Sequence, residues 1–297
     1  DHRQGSPGGR EDDRRTRRAL IVRIEDYPPQ EPFSAFAQPY AAEVMRRGEG
    51  VEPSAEVRYG DDPYQSIAIH AAANPNGTVF AFVHGGGWTS GYKEHMNFMA
   101  PVFTSAGVTF CSVGYRLAPG HMFPAGLDDV ADALAWIHGN IADHGGDPDR
   151  LFIGGHSAGG HYTALLALTS DWQERRGLPG TVVRGCLPIS GVYQFGEESG
   201  LSMRPRFLGP EDGETDRRAS PMSFVSADAP PFLIAYGTED FPHLRDQADR
   251  IEAALVGEGC DVAKIVFDGR DHFGASLAGG EPDGPWVSRA LVWMASH

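Results

Sequence analysis

Cysteine is scarce in this chain. Its 297 residues include only Cys111, Cys186 and Cys260. The number is odd and the spacing is not that of a metal site, so no disulfide framework is expected. Cys111 and Cys186 fall in apolar runs that read as strands, where a thiol behaves as a small buried hydrophobe. Long apolar runs are also missing. None reaches the roughly 18 residues of a spanning helix, so no membrane association is expected. Asp1 to Arg18 is polar and charged, without a secretory signal, and the expected location is cytoplasmic. Positive charge is in deficit, with 25 basic against 40 acidic residues and a net charge of −15. That balance disfavours nucleic-acid backbones and anionic lipid surfaces as partners.

Several ligand motifs are absent. There is no His-Glu-x-x-His, no Gly-x-Gly-x-x-Gly after a strand and no glycine-rich loop ending in Lys-Ser or Lys-Thr. No metal and no cofactor is expected. Asp128, Asp129 and Asp132 share a helical stretch, where their spacing suits a solvated face.

Glycine and proline are plentiful (38 and 22), apolar residues make up 41%, and there are 16 Phe and 5 Trp. The length suits one large domain with a substantial core and many turns. Residues 1–20, with Arg14, Arg15, Arg17 and Arg18, read as a flexible arm, and residues 21–297 as a single domain. An amphipathic helix is expected within residues 31–48, through Phe36, Tyr40 and Val44. Beyond it, alternating apolar runs predict strands at 55–59 and 66–70. Denser runs predict strands at 78–83, 108–113, 151–154, 182–187, 231–236 and 264–267. Helical patterns fall at 94–106, 125–143, 158–171, 243–257 and 284–295. This alternation predicts an α/β fold: a mostly parallel mixed sheet with an antiparallel edge and helices on both faces. Residues 190–225 interrupt it. Together with 31–50 they are expected to form a small lid or to border a cleft.

Gly155-His156-Ser157-Ala158-Gly159 lies between the apolar run Leu151-Phe152-Ile153 and the helical run Tyr162–Leu168. A Gly-x-Ser-x-Gly segment there places a serine on a sharp strand-to-helix turn, exposed as a nucleophile. Such a serine needs a base, and the base needs an orienting acid, in the order serine, acid, histidine. Asp240 and His272 follow consecutive predicted strands and should emerge at the same sheet edge as Ser157. Glu239 is the rival acid. His84-Gly85-Gly86-Gly87-Trp88 follows the strand at 78–83. Its glycines can turn amides toward a developing oxyanion, with Gly86, Gly87 and Ala158 as the expected donors. Trp88, His156 and His243 are candidates to line a pocket, as are Tyr193, Phe195, Met203 and Phe224 from the insertion. His161 reads as a polar packing residue.

Four segments together resemble the α/β-hydrolase superfamily: His84–Trp88, Gly114-Tyr115-Arg116-Leu117-Ala118-Pro119, Asp147-Pro148-Asp149-Arg150 and Gly155–His161. The resemblance covers roughly residues 55–297. It lies nearest the branch shared by carboxylesterases related to hormone-sensitive lipase and by arylformamidases that act on N-formylkynurenine. It implies an α/β-hydrolase fold with Ser157 as nucleophile, Asp240 as acid and His272 as base. The implied activity is a serine hydrolase cleaving carboxylic esters of small, aromatic substrates through an acyl-serine. The alternatives are an arylformamidase and a non-catalytic scaffold used for binding. The resemblance also makes a homodimer plausible. His156 stands where lipase-like esterases commonly carry Asp, and with His161 this is similar to the arylformamidase pattern.

Overall fold

A computed structural model of the protein describes residues 22–196, 199–202 and 204–297. The expected arm at residues 1–20 and the pocket candidate Met203 lie outside the described residues. Eight strands form one sheet: β1 (Ala55–Arg58), β2 (Ser66–His70), β3 (Gly77–Val83), β4 (Thr109–Val113), β5 (Gly146–His156), β6 (Gly185–Ile189), β7 (Phe232–Gly237) and β8 (Val262–Phe267). Their order is β1-β2-β4-β3-β5-β6-β7-β8. β1 and β2 pair antiparallel, as do β2 and β4, and the other pairs are parallel. The mixed, mostly parallel sheet with an antiparallel edge is thus the architecture expected from the residue pattern.

Ten α-helices accompany it among the described residues: α1 (Gln38–Arg47), α2 (Ala100–Thr104), α3 (Ala125–Asn140), α4 (Ala158–Leu168), α5 (Asp171–Arg175), α6 (Arg204–Leu208), α7 (Gly213–Ala219), α8 (Pro242–Gly257), α9 (His272–Leu277) and α10 (Pro285–Ser296). Strand periodicity divides them between two layers. Alternate residues of a strand face opposite sides. Val79, Ala81 and Val83 of β3 therefore share one layer of the core with Val130 and Leu134 of α3, Tyr162 of α4 and Ile251 of α8. Phe80 and Phe82 pack on the other side with Val44 of α1, Phe103 of α2 and Trp286 and Trp293 of α10. No helix among the described residues is long and apolar enough to cross a membrane.

Four local expectations need correction. The helix expected at 94–106 is a 3₁₀ helix over Lys93–Met99 followed by α2. Pro101 has no amide to give the Asn97 carbonyl, so α-helical bonding cannot run through the segment. The strand expected at 182–187 starts at Gly185 because the Val182 amide is held in a turn by the Pro179 carbonyl, 3.0 Å away. The helix expected at 158–171 breaks at Thr169, which is extended, before α5. Asp129 is buried, not solvated: its carboxylate accepts from the Arg116 guanidinium (2.7 Å) and the Gln65 amide (2.9 Å).

Phe80 is fully buried and touches the rings of Phe82, Phe103, Phe110 and Trp286. Replacing it by Ala leaves a cavity that backbone-anchored neighbours cannot fill. Denaturant unfolding should show Phe80→Ala less stable by about 3–5 kcal/mol.

Candidate active site

The carboxyl ends of five neighbouring strands meet at one edge of the sheet, where open α/β sheets form their sites. β3 runs into the His84–Trp88 loop, β5 into Ser157, β6 into Ser190, β7 into Asp240 and β8 into His272. Between β5 and α4 the chain reverses on Ser157, which takes φ 54° and ψ −116°. That backbone is costly for a residue with a Cβ. Its amide is tied to the Ile189 carbonyl at 3.0 Å. Glycine is required beneath the turn. A Cβ on Gly159 would run into the Val83 carbonyl of β3, and one on Gly155 into the backbone of Gly159.

Three side chains distant in sequence meet here. The Ser157 Oγ lies 2.9 Å from His272 Nε2, and His272 Nδ1 lies 2.9 Å from Asp240 Oδ1. A carboxylate can only accept, so Nδ1 carries the proton and Nε2 accepts from the serine hydroxyl. Asp240 Oδ1 also accepts the Phe241 amide at 2.7 Å, and Oδ2 accepts the Ser190 hydroxyl. Burial works against the Asp240 charge, but the His272 bond and charge, then the Ser190 and Phe241 bonds, outweigh it and hold its pKa below the usual value. Glu239, the rival acid, is exposed, and its amide is bound to the Arg270 carbonyl.

The glycine loop packs against this turn. A Cβ on Gly85 would sit 3.2 Å from that of Ser157. The Gly86 carbonyl accepts the amides of Thr89 (3.2 Å) and Ser90 (3.0 Å), which closes the loop, and Gly86 needs φ 121°, a conformation suited to glycine. His84 donates from Nδ1 to the Gly85 carbonyl at 2.7 Å, and its ring stacks on Tyr115. The Trp88 indole donates to His161 Nδ1 at 3.1 Å, and His161 Nε2 donates to the Ala219 carbonyl at 2.7 Å. His161 therefore joins the glycine loop to the insertion. His156 donates from Nε2 to the His272 carbonyl at 3.0 Å, which fixes the backbone of the residue beside Ser157.

A cleft of about 500 Å³ opens over Ser157 and His272. Gly86, Gly87, Trp88, His156 and His243 line it. Ala158 is buried at the start of α4, next to Ser157. Tyr193, Phe195 and Phe224 are not among the lining residues. Tyr193 is buried in the core with its hydroxyl unpaired, and Phe195 packs edge-on to His161 and against Trp88. Phe195 borders a separate depression of about 530 Å³ beside α7. Phe224 is half-buried in the 3₁₀ turn over Pro221–Phe224.

The aromatic lining comes from elsewhere, from Phe33, Phe36, Tyr40, Phe241 and Phe273, with the Phe36 ring against those of Phe241 and Phe273. Tyr40 stacks on Phe273 at 4.7 Å, and its hydroxyl meets Ser276 Oγ at 2.7 Å, which docks α1 onto α9. Sequence reasoning did not name Phe33, Phe241, Phe273, Arg206 or Ser190 as site residues. Phe241 and Phe273 each directly follow a named residue, and that adjacency was the available signal. α9 was also missed, although Asp271 is an N-cap residue type and its carboxylate accepts the Gly274 amide at 2.7 Å. No group of three or more His, Cys, Asp and Glu gathers as around a metal ion among the described residues.

A model of the α/β-hydrolase fold family matches residues 80–275. Among curated proteins, the chain is similar to esterase LipC of Mycobacterium tuberculosis, 32% identical over 258 residues, covering 80% of this chain and 64% of LipC. It is also similar to esterase LipQ of that organism, 32% identical over 217 residues, covering 67% of this chain and 51% of LipQ. The chain thus spans between about half and two thirds of the length of these relatives. Among solved structures, the esterase of Pyrobaculum calidifontis superposes with a TM-score of 0.70 at 20% identity, covering 89% of this chain and 99% of the other.

Burial lowers the pKa of His84 and His161 to about 4, and of His95 and His156 to about 3, from the ordinary 6.5. The unfolded chain therefore binds protons on these imidazoles before the folded one does. Their contribution to stability is complete above pH 6.5 and is lost as pH falls toward about 3–4. Unfolding free energy should therefore drop as pH falls across that window. Denaturant midpoints measured against pH check this, and a flat curve between those limits would contradict it.

Proposed function

The chain belongs to the α/β-hydrolase fold family, and we propose that it works as a serine hydrolase on carboxylic esters of small aromatic compounds. The observation that carries this reading is the unbroken relay from Ser157 through His272 to Asp240 on the floor of an aromatic cleft. In the proposed mechanism His272 takes the Ser157 proton as Oγ attacks the ester carbonyl. Asp240 holds the imidazole in the Nδ1–H tautomer and stabilises the cation that forms. The tetrahedral oxygen receives the amides of Gly86, Gly87 and Ala158, the last at the positive end of α4. His272 then protonates the departing alcohol or phenol, and water cleaves the acyl-serine by the same route. Phe33, Phe36, Tyr40, Phe241 and Phe273 offer flat apolar surface to an aromatic group.

A second reading, hydrolysis of formyl arylamides such as N-formylkynurenine, is favoured by His156 and His161 standing in the serine motif. The same relay serves it, with an arylamine as leaving group. The esterase names of the similar proteins support the first reading.

Steady-state rates on p-nitrophenyl acetate and on N-formylkynurenine should separate the two, with the larger kcat/KM on the ester. A preference for the formamide would install the second reading. Ser157→Ala should lose about 10³-fold or more in kcat on the preferred substrate while keeping its melting temperature. A serine-reactive phosphonate should label the parent protein at Ser157. Folded protein that takes no label would instead favour a binding scaffold.

Asp240→Asn should lower kcat by orders of magnitude, roughly 10³ or more, because it unsettles the His272 tautomer. Glu239→Gln should change it by less than about twofold, as expected of an exposed residue outside the relay. The reverse ranking would reassign the acid.

A further inference from the structure

Ser190 directly follows β6, the strand lying between those that lead to Ser157 and to Asp240. Its side chain is buried and its backbone sits at φ 51°. Glycine would adopt that conformation without strain, and the next residue, Gly191, shows that the local sequence admits one. A serine is present instead, with its amide tied to the Ala235 carbonyl of β7 at 2.7 Å and its hydroxyl directed to Asp240 Oδ2. Oδ1 of the same carboxylate is taken by His272 and the Phe241 amide. Among the described residues, the Ser190 hydroxyl is the partner of Oδ2.

We propose that Ser190 is a positioning residue, which holds the buried Asp240 carboxylate in its ionised form and aims Oδ1 at His272. The proposal rests on the relay read above as the catalytic machinery.

The chemistry requires a donor, because an ionised carboxylate only accepts. It also favours a neutral donor. A guanidinium or ammonium in this place would cancel the negative charge that stabilises the His272 imidazolium, whereas a hydroxyl leaves the charge intact. The Ser190 amide cannot serve, since it is already committed to the Ala235 carbonyl. With the hydroxyl removed, Oδ2 is left buried and unpaired and the carboxylate becomes more basic. The Asp240–His272 pair then takes up its proton at a higher pH.

Other groups face this pair. The His156 ring lies 4.6 Å from that of His272, and burial holds its pKa at about 3, so it stays neutral throughout. His243 reaches toward the pair from α8, and its pKa is lowered by burial. The Tyr193 hydroxyl is buried nearby with its pKa raised, first by burial and also by the Asp240 charge. Beside His272, Asp271 caps α9 and Arg270 pairs with Glu281. None of these groups changes in a Ser190 variant, so a shift of the pair reports on the hydroxyl.

The test compares the parent protein with Ser190→Ala and Ser190→Gly. Histidine labelled with ¹³C is titrated by NMR, and the His272 signal is identified by its loss in His272→Gln. In parallel, kcat and KM for p-nitrophenyl acetate are measured against pH. Both variants should titrate roughly half a unit to one unit higher than the parent. The acid limb of kcat/KM should move with them. At neutral pH, kcat should fall about 10-fold with KM nearly unchanged. Coincident titrations in all three proteins, or a loss of rate equal at every pH, would overturn the proposal. The glycine variant relieves the strained backbone, so it carries the test if the alanine variant gives no cooperative melt. If the parent turns over no ester, the NMR titration still decides the role of Ser190, and only the hydrolase reading falls.

Discussion

Backbone contact between the turn after β5 and the end of β3 is the constraint on which the rest depends. Gly159 lies so close to the Val83 carbonyl that no side chain fits between them. That approach forces the chain to reverse at Ser157 with positive φ. A strained residue of this kind costs on the order of 1–3 kcal/mol and persists only where its surroundings over-determine it. Here they do. β5 is paired on both sides, α4 is buried along most of its length, and the Ser157 amide is held by Ile189. The hydroxyl is thus aimed by packing together with the hydrogen bond of its own amide.

Around that turn the polar groups are arranged as a series of fixed donors and acceptors. His156 braces the His272 carbonyl, His84 braces the Gly85 carbonyl, and His161 ties Trp88 to Ala219. Each imidazole is buried, with its pKa lowered, so it is neutral and donates through one nitrogen. A charged brace in any of these positions would compete with the His272 imidazolium of the proposed mechanism. In that mechanism neutral braces leave Asp240 as the partner that would stabilise it.

The cleft is built from segments far apart in the chain. Residues within 31–40 line it, as does the insertion between β6 and β7 through Gly200, Leu201 and Arg206. Arg206 of α6 reaches Glu31 at 2.9 Å, an ion pair between two of these lining segments. Such a pair near the surface adds little stability. Deeper in, Tyr40 stacks on Phe273 and ties α1 to α9.

Much of this was legible in the residues before any coordinates. The alternation of apolar runs marks the sheet and its two helical layers, because burial of both strand faces demands continuous apolar sequence. The glycines flanking Ser157 and those after β3 mark the turn and the loop, because few other residues tolerate such backbone paths. Aspartate and histidine after successive strands follow from parallel topology, which brings all carboxyl ends to one edge. What the pattern could not decide was which aromatic side chains face the cleft. Tyr193 and Phe195 are as apolar as Phe241 and Phe273, yet the first two are core and the others wall. Ser190 likewise carries no local mark, since its meaning lies in a carboxylate 50 positions away. Periodicity and backbone permissiveness are local properties and are written into neighbouring residues. The direction of a side chain in an irregular segment is set by what packs against it from elsewhere in the fold.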